Sequence, residues 1–314
     1  MIHFFLYSCC FVTKGFSRGC LIDVERNLYC SIPIELCDVL AEGKTPKDSE
    51  FAEHILFLSN EGFLCFFKND ICKTTHNQIF TPYLFEDLIF DVSNINDFLD
   101  RINYINSYEL ETIQIRFYTR LDIQQINKII NILINSGFCS IELFFNHNQN
   151  NLPEDYLRIY DSFDYITKLG IFDYPYNCFP RKENVLFIKQ KLISENQCGK
   201  INEHLFCPNL RTYLSSFTCN SCLYKKISID KNGEIKNCPS MKRSYGNIAT
   251  TELKELLNNP EFTKLWYITK DKVEVCKDCE FRNICTDCRC FLTDETNIFS
   301  KPKNCSYDPY TNKW

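Results

Sequence analysis

The chain has 314 residues, which at roughly 150 residues per domain suggests about two domains. Hydrophobic residues make up 45% and aromatics 15%, so a packed core is within reach and global disorder is disfavoured. The net charge of −5, with Asp and Glu mixed into the lysine-rich stretches, argues against general binding to nucleic acid. The opening MIHFFLYSCCFVTKG has no basic region ahead of its apolar run and meets Lys14 and Arg18 early, so no secretory signal is expected. No stretch approaches the roughly 20 apolar residues of a membrane span. The expectation is a cytoplasmic protein without membrane or nucleic-acid partners. Thiols stay reduced in that compartment, and clustered cysteines there are metal ligands more often than disulfides. A disulfide-rich secreted protein is the competing reading.

In chain order, residues 2–7 are apolar and rich in β-formers. Residues 19–24 alternate, Glu25-Arg26-Asn27 turns the chain, and Leu28 to Ile32 returns it. Pro33 then opens a helix, IELCDVLAEG, closed by Gly43. A second helix runs from about Asp48 to Asn60, with Phe51, Ile55 and Leu58 on one face and Gly62 at its end. A strand over 63–67 follows, and the polar stretch 68–82 reads as a linker. Residues 1–82 therefore read as a small winged-helix-like unit.

Residues 83–195 change character. The pattern predicts helix 95–106, strand 112–118, helix 122–136, strand 140–145, a helix near 153–161, and strands 165–172 and 184–189. The helix over 122–136 carries Ile123, Ile126, Ile130 and Ile134 on one face and stops at Gly137. Alternating strands and helices predict an α/β fold with a parallel sheet. About four βα units are too few for a closed eight-fold barrel, so a partial barrel or small open sheet is expected. Residues 196–314 lose the alternation and are dominated by cysteine, turn residues and short helices, one of which starts at Asn259-Pro260-Glu261.

The chain has twenty cysteines, and their distribution is uneven. Cys9, Cys10, Cys20, Cys30, Cys37, Cys65, Cys72, Cys139 and Cys178 show no ligand spacing and read as small buried hydrophobes. Cysteines with two residues between them recur at Cys219/Cys222, Cys276/Cys279 and Cys285/Cys288. A turn between such a pair lets both thiolates face one centre, and soft anionic thiolates suit zinc and iron–sulfur clusters. Between these pairs, KKISIDKNGEIKNC reads as a hairpin with Asn232-Gly233 at its turn. With Asp230 opposite Gly233, Cys238 falls opposite Lys225 and within on the order of 10 Å of Cys222. Adding Cys305 gives eight thiols, enough for two four-cysteine centres. Spacing alone leaves zinc and iron both open.

The run Cys222-x10-Gly233-x4-Cys238, Cys276-x2-Cys279-x5-Cys285-x2-Cys288 and then Cys305 resembles the SPASM domain, the auxiliary iron–sulfur module of radical-SAM peptide-modifying enzymes. The last Cys pair departs from the usual pattern, which has three residues between the thiols. With GFSRGCLIDVERNLYCSIP, ISIDKNGEIKNCPSM, YGNI and VCKDCEFRNICTDCRCF, the chain resembles the SPASM-containing maturase of grasp-with-spasm peptide systems. The resemblance implies maturation of a ribosomally synthesised peptide (RiPP), with a precursor peptide and an ATP-grasp ligase as partners. It implies three parts: a leader-peptide recognition unit over 1–82, a partial βα barrel over 83–195, and a SPASM domain over 196–314. It also implies two [4Fe–4S] clusters, one on Cys219, Cys222, Cys238 and Cys288 and the other on Cys276, Cys279, Cys285 and Cys305. Cys198, Cys207 and His204 are rivals to Cys219, and Cys290 reads as a supporting or core thiol.

A radical-SAM enzyme needs Cys-x3-Cys-x2-Cys to hold the cluster that cleaves S-adenosylmethionine. Residues 83–195 hold only Cys139 and Cys178, and no other cysteines in the chain have that spacing. The expectation is a degenerate radical-SAM-like barrel without its own S-adenosylmethionine chemistry. Whether the chain is catalytic stays open. The alternative is a non-catalytic precursor-binding scaffold whose cysteines hold structural zinc or clusters. The histidines His3, His54, His76, His147 and His204 show no ligand pattern, and no phosphate-cradling glycine loop or nucleophile elbow is present. Phe144 and Phe145 read as core. Arg282 reads either as a hydrogen-bond donor to a cluster or to its carboxylate neighbours Asp278 and Glu280, or as a solvated surface residue.

Overall fold

A computed structural model describes residues 2–45, 47, 49–66, 82–105, 110–176 and 182–314. Apart from Pro82, the expected linker lies outside the described residues, as do Asp48, Cys72, His76 and Cys178. The fold is mixed α/β and divides into two units. One is Met1–Phe80 with Gly199–Tyr224 and Leu265–Trp314, and the other is Thr81–Cys198 with Lys225–Lys264. Among the described residues no helix is long and apolar enough to cross a membrane.

The first unit begins with β1 (Ile2–Leu6), β2 (Cys10–Lys14), β3 (Arg18–Asp23), β4 (Leu28–Pro33), α1 (Ile34–Glu42), β5 (Lys44–Thr45), α2 (Ala52–Asn60) and β6 (Leu64–Phe66). These strands form two antiparallel sheets, β5-β1-β6 and β2-β3-β4. Gly43 closes α1 as expected, in the left-handed conformation at φ 71°, donating its N–H to Val39 O. Strand β3 explains how the unit is layered. Side chains alternate across a strand, and here both faces are buried. Leu21 packs with Phe4, Leu36, Leu40, Ile55 and Leu58 under the helices. Cys20, Ile22 and Val24 face the other way, onto Tyr213, Phe281, Ile284 and Tyr307 of the cysteine-rich segments. Gly19 is required by this layering, because a Cβ there would meet Cys37 Sγ of α1 at 2.1 Å.

The second unit is built on β7 (Asp87–Val92), α3 (Ile95–Ile105), β8 (Thr112–Arg120), α4 (Ile123–Asn135), β9 (Ser140–Asn146), α5 (Pro153–Ser162), β10 (Ile166–Phe172), β11 (Val185–Phe187), β12 (Lys226–Ile229) and β13 (Ile235–Lys236). The sheet order is β11-β10-β9-β8-β7-β12-β13, parallel from β11 to β12, with β13 antiparallel at the edge. Helix α4 starts on a capping box: Asp122 Oδ1 accepts from Gln125 N at 2.8 Å, and Gln125 Oε1 accepts from Asp122 N at 3.0 Å. Its buried stripe is Ile126, Ile129, Ile130 and Leu133, while Ile123 and Ile134 are only half-buried.

The β12–β13 hairpin sits one residue from the expected register. Ile229 pairs with Ile235 and Ser228 with Lys236, so continuing the ladder would place Cys238 opposite Lys226. Gly233 adopts φ 85° and donates its N–H to Asp230 O at 2.8 Å, while Asp230 N donates to Glu234 O. The loop therefore holds Lys231, Asn232 and Gly233 rather than a two-residue turn.

On β8, Ile113, Ile115 and Phe117 are fully buried. Arg116 makes a bidentate contact with Asp91 of β7, 2.6 Å at each nitrogen, and Tyr118 Oη donates to the same carboxylate at 3.0 Å. Both charged side chains are buried. Breaking a buried pair from one side strands the other charge and costs about 3–5 kcal/mol. Asp91→Ala is therefore expected to lower the urea midpoint strongly, and Asp91→Leu combined with Arg116→Met to restore most of the loss; equilibrium unfolding followed by circular dichroism checks this.

Candidate metal centre

The last third of the first unit brings four of the predicted ligands together. Cys276 opens a short 3-10 turn, and Cys279 N donates back to Cys276 O at 3.0 Å. Val275, just before it, holds φ 65° and ψ −45°, a conformation a β-branched residue adopts only under strain of about 1–3 kcal/mol. Cys276 and Cys285 are buried, and Cys279 and Cys305 are half-buried. Burial pushes the Cys276, Cys279 and Cys285 thiols up, Cys285 to about 11. Neighbouring thiols add to this: Cys305 acts on Cys276 and Cys285, and Cys276 and Cys285 act on Cys279. These influences put the four thiols in one neighbourhood.

A buried cation faces them. Lys270, only 7% exposed, donates from Nζ to Cys285 Sγ at 3.3 Å and lies 3.9 Å from Asp287 Oδ1. Burial alone would lower the Lys270 pKa, but Cys285, Asp287 and Cys276 outweigh it and raise it. Asp287 is itself paired with Arg289 at 2.7 Å and accepts from Asn220 Nδ2 at 2.8 Å. Lys270 and Arg289 against Asp287 leave one net positive charge in a buried network next to the thiols. That is the environment in which thiolate ligands are stabilised.

The Cys219/Cys222 turn follows the short helix Leu210–Ser215. Asn220 Oδ1 accepts from the N–H groups of Cys222 and Leu223, both at 2.9 Å. Ser221 Oγ donates to Cys285 O at 3.2 Å and accepts from Asp287 N at 3.1 Å. The two residues inside this Cys-x2-Cys thus tie it to the loop carrying Cys285 and Cys288. Cys288 is buried and lies against Gly199, where a Cβ would stand 3.2 Å from its Sγ and 3.0 Å from Phe291; Gly199 also holds φ 76°. Cys238 belongs to the second unit. There its thiol is the main influence pushing up the pKa of Cys198, ahead of burial, and Cys198 Sγ lies 3.1 Å from Ser240 Oγ. Arg116 acts on Cys198 from the sheet and favours its thiolate. Cys207 and His204 are exposed.

Arg282 reaches neither Asp278 nor Glu280. Its Nε donates to Asp271 at 2.9 Å, and one terminal nitrogen donates to Lys14 O and Cys279 O at 2.8 and 2.9 Å. Glu280 is fully buried and taken by Arg18 and by Tyr307 Oη, and Asp278 accepts from Tyr310 Oη at 2.7 Å. Among the described histidines, His147 is buried in the α/β core and its Nδ1 sits 3.0 Å from Tyr156 Oη.

Residues 219–280 match the family model of SPASM, an iron–sulfur cluster-binding domain. No curated protein matches the chain. Among solved structures, Streptococcus suis SuiB is similar over 96% of this chain and 100% of that one, at TM-score 0.36 and 10% identity. SuiB bound to precursor peptide SuiA is similar over 98% and 100%, at TM-score 0.34 and 11% identity. SuiB bound to S-adenosylmethionine is similar over 96% and 99%, at TM-score 0.30 and 11% identity.

Lys270→Met removes the cation facing Cys285 and is expected to reduce the metal retained per chain after anaerobic desalting, with Lys270→Arg retaining most of it. Emission spectrometry of the three proteins reads the difference, and equal retention in Lys270→Met contradicts the role given to Lys270.

Proposed function

We propose that this chain helps mature a ribosomally synthesised peptide together with an ATP-grasp ligase, and that its SPASM region holds two auxiliary [4Fe–4S] clusters. The observation that carries the reading is the convergence of Cys276, Cys279, Cys285 and Cys305 with Lys270 donating to Cys285, in and just beyond the segment that matches the iron–sulfur family. These four would hold one cluster, and Cys219, Cys222, Cys238 and Cys288 the other. Cys198, beside Cys238, is the rival donor that its position favours over the exposed Cys207 and His204. When bound, clusters of this kind supply one-electron transfer or an anchoring point for a peptide.

The N-terminal unit would recognise the leader segment of the precursor. Strands β2 and β4 end their sheet, and an extended peptide binds by adding to such an edge. The open sheet of the second unit would be a degenerate radical-SAM barrel, in line with the missing Cys-x3-Cys-x2-Cys.

The anaerobically purified chain is expected to co-elute with a precursor peptide encoded beside it and to produce no 5′-deoxyadenosine from S-adenosylmethionine and reductant. Failure to bind any neighbouring precursor removes the peptide reading. Formation of 5′-deoxyadenosine shows that a radical-generating cluster is present after all.

A further inference from the structure

The turn between β1 and β2 holds a second group of donors that has no part in the cysteine-rich module. Among the described residues, Cys9, Cys10 and Asp23 form a set of three potential ligands whose donor atoms all lie within 4.8 Å of one another. The Cys9 and Cys10 sulfurs are 3.9 Å apart. That matches the roughly 3.8 Å between two thiolates on one tetrahedral zinc. We infer that Cys9, Cys10 and Asp23 form a mononuclear site for a thiophilic divalent cation of the zinc class.

The fold builds this corner. Cys10 pairs with Asp23 across the β2–β3 ladder, and Val24 N donates to Cys9 O at 3.0 Å, so the two ends of the hairpin are locked together there. Cys10 N donates to Tyr7 O at 2.8 Å and closes the turn that sets the two cysteines side by side. Asp23 is buried and fixed from three directions: its Oδ1 accepts from Glu25 N and Arg26 N at 3.0 and 2.9 Å, and its Oδ2 from Arg26 Nε at 2.6 Å. A carboxylate oxygen offers two lone pairs, so Oδ2 keeps one for a cation. Water would complete the fourth position.

Charge balance supports the assignment. Without a cation, two thiols and a carboxylate converge in a partly buried corner. A divalent ion bound there displaces one proton from each thiol to solvent. Two thiolates and Asp23 then carry three negative charges, balanced by the ion and by the Arg26 guanidinium. Arg26 is held in place for this by Glu61 O and Gly62 O and by the Phe63 ring, 4.8 Å from its guanidinium carbon. The cation would fasten the β1–β2 turn to β3. This site stands independently of the cluster reading, because none of its donors belongs to the cysteine-rich module.

The test is zinc binding by the full chain purified anaerobically, with Zn²⁺ alone as the probe and a chromogenic chelator as competitor. The wild-type chain is expected to hold one zinc that Cys9→Ser and Asp23→Asn each bind at least about tenfold more weakly, with iron content unchanged. Cys9 is half-buried and serine is close in size, and Asp23→Asn keeps an acceptor for the turn, so both variants preserve the fold; far-ultraviolet circular dichroism verifies it. Equal zinc affinity in wild type and both variants overturns the site. So does a zinc lost on Cys276→Ser but kept on Cys9→Ser, and so does a Cys9–Cys10 cross-link found by mass spectrometry in the native chain.

Discussion

A thiolate in an apolar interior is costly, and the cysteine-rich half of this protein is organised around that cost. Burial raises the Cys276, Cys279 and Cys285 thiols, and each makes its neighbours harder to ionise. Gathering four of them is compatible with a stable fold only if positive charge is built in beside them. Lys270 meets that requirement directly, and its own burial is balanced by the sulfurs and by Asp287. The same network fixes the rest of the module. Asp287 holds Arg289 and Asn220, and Asn220 shapes the Cys219/Cys222 turn. The ligand turns are therefore positioned by polar groups that have few other partners available in the interior.

The N-terminal sheet and the cysteine-rich segments form one folded unit. One face of β3 is covered by α1 and α2, and the other lies on Phe281, Ile284 and Tyr307, with Cys279 and Cys305 packed at its margin. Arg18 and Tyr307 converge on the buried Glu280, and Thr13 Oγ1 donates to Asn283 at 2.8 Å. These contacts join residues far apart in the chain, so the unit forms only when its two ends have met. On the function proposed above, the segment that would recognise the peptide and the one that would hold metal are mechanically continuous.

Much of this was legible in the sequence because local chemistry dictated it. Gly43 closing α1, Asp122 opening α4 and Asn259-Pro260 opening the turn Pro260–Thr263 are short-range signals, and each appears where expected. Strand β7 escaped because DLIFDV is largely buried and so carries no clean alternation. Strand β2 is short, and β5 has two residues. The β12–β13 register slipped because Asn232-Gly233 suggests a two-residue turn, while Gly233 here closes a three-residue loop. At the metal centre the thiol spacing was visible, but Lys270 and Asp287 were not. Their roles come from tertiary proximity, and their one local trace is Asn and Ser placed between Cys219 and Cys222. Neither sequence reading of Arg282 found its partners, Asp271 and the carbonyls of Lys14 and Cys279, because Glu280 turns inward and Asp278 is occupied by Tyr310.

Metal and acid-labile sulfide analysis of the anaerobically purified chain tests the central claim most directly. The account predicts about eight iron and eight sulfide per chain. It further predicts that Cys276→Ser removes about half of each while leaving the other half. Stoichiometric zinc in the cysteine-rich module, with no sulfide, would contradict it.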